Sequence, residues 1–134
     1  MKNLVKKYEG QIEFSKNLIT EKDLELCEKE MEVVFGAKLK EYVLDYGYLA
    51  KDDVEFYGIN SKQLLNSDMV KNTISLHKEF KETKDKVLFA SFIDSIYYLV
   101  DKDDMVFKFD AVEKTLLKTE DNIVTFIDNT FSNA

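Results

Sequence analysis

The chain has 134 residues, of which 45% are hydrophobic, and ten Phe and seven Tyr give it the material for one buried core, which argues against disorder. All 19 basic residues are lysine and the formal net charge is −7, so the guanidinium groups that grip phosphate are absent and the overall field repels it; binding to nucleic acid or to an anionic lipid surface is disfavoured. No apolar run is long enough for a membrane span, the N-terminal MKNLVKKYEG lacks a secretory signal's apolar stretch, and the single Cys27 suits a reducing compartment, so the expectation is one cytoplasmic domain over residues 1–134.

The opening segment reads two ways. Leu4, Val5 and Tyr8 fit a short helix, while Ile12 and Phe14 alternate with polar neighbours as a strand edge does. Thr20 then reads as an N-cap, with Glu21 and Asp23 in the first turn of a helix whose apolar face carries Leu24, Cys27 and Met31. Gly36 ends that unit. Leu39, Tyr42, Val43 and Tyr46 follow at helical spacing, and Gly47 stands where a left-handed C-terminal cap is expected.

Residues 52–59 read as a strand with Val54 and Phe56 on one face and Glu55 and Tyr57 on the other. Ser67 is the expected cap of a third helix to about Lys81, with Val70, Ile74 and His77 on one flank and Met69, Leu76 and Phe80 on another. Val87 to Phe92 is a continuous apolar run of the kind a buried strand shows. Ile96–Val100 and Met105–Phe109 flank a hairpin turn at residues 101–104, and a shorter strand is expected around Thr115 to Leu117. Asp121 or Asn122 caps a closing helix bearing Val124, Ile127 and Phe131. Strands joined by tight turns imply an α+β domain, a mainly antiparallel sheet with helices packed against it.

Three stretches carry a family resemblance. The two-helix unit, with Thr20 to Leu24, Glu28, Phe35 to Leu39, Tyr42 to Leu44 and Gly47, is one. The strand Val54 to Ile59, which ends in Tyr-Gly-Ile, is the second, and Val87 to Ser91 followed by Ile96 to Asp101 is the third. In their order and spacing over residues 20–131 they resemble the SUKH superfamily, which includes yeast cell-wall-assembly regulators and many bacterial immunity proteins. Lys40 departs from the pattern where a proline usually falls, and residues 92–95 replace a more glycine-rich turn. The resemblance implies a SUKH-like fold and a protein partner. In the bacterial branch that partner is a cognate polymorphic or LXG-type toxin, often a nuclease and so basic, neutralised by direct binding; yeast-type members act as scaffold or regulatory modules. No catalytic residues come with the resemblance.

The residues themselves point the same way, to no enzyme and no cofactor. His77 is the only histidine and lies on an apolar flank, where a packing or surface role outweighs acid–base work. Cys27 sits on a core face as a structural thiol. Asp101, Asp103 and Asp104 are spaced superficially like a calcium loop, but Met105 and Val106 occupy positions that need an oxygen ligand and a glycine, so an acidic β-turn is the better reading and no metal site is expected. The candidate partner-binding residues are Asp52, Asp53, Glu55 and Tyr57 on or beside one strand, and Asp94, Tyr97, Asp101, Asp103 and Asp104 on a later pair. If those strands are neighbours, they display one acidic, tyrosine-bearing surface suited to a basic partner. The alternative is a scatter of solvated turns.

Overall fold

The computed structural model describes residues 1–16, 19–59 and 68–134, with the side chain of Asp68 left undescribed. Its order is α1 (Lys2–Lys7), β1 (Glu13–Lys16), α2 (Glu21–Met31), α3 (Ala37–Asp45), β2 (Tyr46–Lys51), β3 (Val54–Phe56), α4 (Asp68–Glu79), β4 (Val87–Ile93), β5 (Ile96–Val100), β6 (Met105–Asp110), β7 (Thr115–Asn122) and α5 (Ile123–Ser132). The strands lie in the sheet in chain order and every neighbouring pair is antiparallel. The α+β expectation therefore holds.

Local chemistry sets most of these boundaries. Thr20 and Asp23 exchange hydrogen bonds in a capping box at the start of α2, and Asn122 accepts the Thr125 N–H at the start of α5. The expected Ser67 cap lies outside the described residues. Gly47 departs from expectation. It is no left-handed cap, because α3 ends at Asp45 and the chain runs straight into β2, a strand the helical spacing of Leu39 to Tyr46 concealed. The register Leu49–Phe56 carries on to bring Gly47 opposite Gly58. A Cβ on Gly58 would fall inside 3.0 Å of the Gly47 carbonyl, so this pair of glycines answers a close backbone approach.

One face of the sheet holds the main core. Phe56, Phe89 and Phe131 are fully buried there with Leu39, Tyr42 and Ile127 from the helices. Phe56 stacks on Phe89 at 5.7 Å between ring centroids and meets Phe131 edge-on at 5.4 Å. Each buried side chain of this kind contributes roughly 1.5–3 kcal/mol by leaving water. The Tyr42 hydroxyl is buried among them and donates to the Phe56 and Tyr57 carbonyls at 3.0 and 2.7 Å, and burial raises its pKa far above the usual phenol.

Helix α4 straddles the sheet where the short β3 gives out. Met69 and Val70 enter the main core, whereas Leu76 joins Leu88, Leu99 and Phe109 in a second cluster on the other face. The Thr73 hydroxyl accepts the Leu88 N–H at 3.0 Å, which satisfies a ladder group of β4 that β3 does not reach. His77 meets the Lys86 carbonyl through Nε2 at 2.7 Å, so it ties α4 to the start of β4.

Candidate protein-interaction surface

In an antiparallel meander alternate turns fall at alternate ends of the sheet. The β2–β3, β4–β5 and β6–β7 turns share one end, and the β5–β6 turn lies at the other. This arithmetic divides the candidate residues. Asp52, Asp53 and Asp94 occupy turns at the shared end, while Asp101, Asp103 and Asp104 are carried to the opposite end. A single patch containing all nine residues does not exist.

The far turn has its own architecture. Asp104 N–H bonds to the Asp101 carbonyl at 3.0 Å, Asp104 itself is left-handed at φ 65°, and the Asp101 side chain accepts the N–H groups of Asp103 and Met105. Asp104 is only 7% exposed, and its carboxylate accepts the Lys38 and Leu39 N–H groups at 3.0 Å each. It therefore caps α3 from across the sheet, in place of a side chain that the N-cap Gly36 lacks. A Cβ on Gly36 would strike that carboxylate, which explains the glycine. Asp104 is consequently withdrawn from any contact surface. Asp103 is exposed, and Asp101 borders a groove of about 640 Å³ against α2. Lys29, Lys86 and Lys102 line that groove beside Glu25 and Glu32, so its charges are mixed.

The shared end is acidic and carries apolar tips. The β2–β3 hairpin closes on Asp52 and Asp53, and the β4–β5 hairpin on Asp94 and Ser95. The β6–β7 turn folds around Asp110, whose side chain accepts the Val112 and Glu113 N–H groups. Ala111 N–H bonds to the Ser95 carbonyl at 2.8 Å, so these last two turns lie side by side. Ile93, 66% exposed, precedes Asp94, and Val112, 74% exposed, shares its turn with exposed Glu113 and Lys114. Lys51 is turned away from the carboxylates, since its ammonium donates to the Phe131 and Ala134 carbonyls at the C-terminus of α5.

Beside this end, on the α4 side of the sheet, Tyr57 and Tyr97 do come together. They line one cleft of about 160 Å³ with Asn72, Ser75 and Glu79 of α4 and Ser91 of β4. Tyr57 is held there because its N–H continues the ladder to the Phe89 carbonyl at 2.8 Å. Glu55, exposed, shares that strand face two residues earlier. Sequence reasoning missed Asn72, Ser75 and Glu79, although their three- and four-residue spacing marks a polar stripe along α4. It also missed Ile93 and Val112, whose signal was an apolar residue inside a turn.

Cys27 is buried, and burial followed by the charges of Asp23, Glu30 and Glu28 raises its thiol pKa to about 11, so it stays protonated near neutrality. Among the described residues no group of three or more His, Cys, Asp or Glu side chains is placed to hold a metal ion, and no helix is long and apolar enough to cross a membrane.

An antiparallel meander covered by helices, with acidic turns and an open tyrosine cleft, defines an α+β domain compatible with an interaction or immunity module. The chain belongs to the SUKH superfamily: the family model described as SMI1-KNR4 cell-wall (SUKH_5) matches residues 1–132. No curated protein sequence matches the chain significantly.

Proposed function

We propose that this protein is a cytoplasmic immunity protein that binds a basic cognate toxin of the polymorphic or LXG type and neutralises it by stoichiometric occlusion, without turnover or cofactor. The observation that carries the reading is the shared sheet end, where exposed Ile93 adjoins Asp94 and exposed Val112 adjoins Glu113 in the next turn. Asp52 and Asp53 lie at the same end of the sheet, and Lys114 is an exposed cation in the β6–β7 turn. Apolar anchors give a contact its affinity when they are desolvated, and a surrounding acidic rim steers a basic partner and rejects others. The net charge of −7 extends that steering field over the whole molecule. Membership of the SUKH superfamily supports the same reading, because its bacterial branch is rich in such proteins.

The test is co-expression with toxin candidates encoded beside the gene, scored by cell survival and by recovery of a complex. Rescue with a one-to-one complex is expected. The triple reversal Asp52→Lys, Asp53→Lys and Asp94→Lys should then slow association and abolish rescue, whereas Asp103→Lys at the opposite end should leave it intact. Absence of rescue and binding with every neighbouring candidate would move the assignment to a regulatory or scaffold module.

A further inference from the structure

We infer that the cleft between α4 and β4–β5 is a receptor for one arginine side chain of the partner, an inference that rests on the interaction reading above and gives it a chemical anchor point. The cleft's volume of about 160 Å³ is below the ~300 Å³ where small-molecule and cofactor pockets begin, so it suits a single side chain. Leu76 and Leu88 form its apolar floor, against which a methylene stem can lie. Tyr57, Tyr97, Glu79, Asn72, Ser75 and Ser91 complete the lining, so aromatic rings, one carboxylate and several oxygen acceptors border the cleft; the Ser91 hydroxyl itself donates to the Ile96 carbonyl at 2.8 Å.

This set favours guanidinium over ammonium. A guanidinium is planar and weakly hydrated, stacks on a tyrosine face, and offers five N–H donors to a carboxylate and its neighbours. An ammonium gives up a tighter water shell for fewer directed bonds. Among the described residues the lining of this cleft contains no cation, unlike that of two other concave sites. The α2 groove contains Lys29, Lys86 and Lys102, and the cleft between α1 and β1 contains Lys2 and Lys6. The chain has no arginine with which to fill the cleft internally. Ser91 and Tyr97 lie on the strands that lead into the β4–β5 turn, so an arginine seated here belongs to a partner that also covers Ile93 and Asp94.

The experiment is an NMR titration of the isotope-labelled full chain with N-acetyl-arginine amide, alongside N-acetyl-citrulline amide as the neutral isostere. The arginine compound should shift the backbone amides of Tyr57, Asn72, Ser75, Glu79 and Tyr97. Citrulline should bind roughly tenfold more weakly, the size of one charge-assisted hydrogen bond, and Glu79→Gln should lower arginine affinity by a similar factor. Tyr97→Phe should retain binding, because it keeps the ring. Equal binding of the two compounds, shifts confined to the α2 groove or the turn carboxylates, or an unchanged Glu79→Gln would each overturn the inference. The two readings fail separately. Toxin rescue with no arginine-specific shifts removes only the cleft's role, and arginine-specific shifts with no rescue by any neighbouring gene remove only the immunity assignment.

Discussion

Replacing Asp104 by alanine removes both acceptors from the start of α3 and leaves the left-handed backbone at φ 65° in place. The two lost bonds are unequal. The Lys38 bond is only part-buried, so water can replace its acceptor more readily, whereas the Leu39 bond is buried and its N–H is left unpaired. An orphaned buried donor costs about 2 kcal/mol, and alanine in the left-handed region costs about 1 kcal/mol more than a residue suited to it. Asp104→Ala should therefore destabilise the fold by about 3 kcal/mol, and Asp104→Gly, which relieves the backbone but not the orphan, by about 2 kcal/mol. Asp104→Asn keeps one acceptor and should fall nearest the native protein. Urea denaturation followed by far-ultraviolet circular dichroism measures all three. Gly36→Ala should also be less damaging in the Asp104→Gly background, because the group its Cβ strikes is gone. If Asp104→Gly equals or exceeds native stability, the cross-sheet cap contributes nothing and the argument fails.

Three further outcomes follow from the geometry. Tyr42→Phe leaves the buried Phe56 carbonyl and the half-buried Tyr57 carbonyl without their hydroxyl donor and should lower stability by about 1–3 kcal/mol in the same urea assay. Asp128 is held below the usual carboxyl pKa, first by the Tyr8 hydroxyl and then by Lys7. A depressed folded pKa stabilises above the unfolded value near pH 4 and loses that contribution as pH falls through the folded one; Asp128→Asn should thus be more damaging at pH 6 than at pH 2.5, and equal effects at both would refute the pairing. Cys27, with its pKa raised to about 11, should resist a thiol-specific disulfide reagent at pH 8 until urea unfolds the chain, and rapid native labelling would show the thiol to be accessible.

What the sequence determined alone was local. The Thr20–Asp23 box, the Asn122 cap, the apolar run of β4 and the acidic turn between β5 and β6 are each written within a few residues, because caps, turns and periodicity depend on near neighbours. The resemblance over residues 20–131 rested on the same local patterns, and the family match over 1–132 agrees with it. Tertiary structure decided the rest. Gly47 read as a helix cap because the residues before it are helical, and only Gly58 across the hairpin shows why a glycine is needed there. Asp104 read as a surface acid because its two partners stand 65 and 66 residues away. The nine candidate residues were sorted by strand direction. β3 and β4 pair antiparallel across the α4 connection, and that brings Asp52, Asp53 and Asp94 to one end with Tyr57 and Tyr97 beside them, while the β5–β6 turn carries Asp101, Asp103 and Asp104 to the other. A strand's local pattern reports which of its faces is buried but not which end of the sheet its turns will occupy, since that is settled by pairing between segments far apart in the chain.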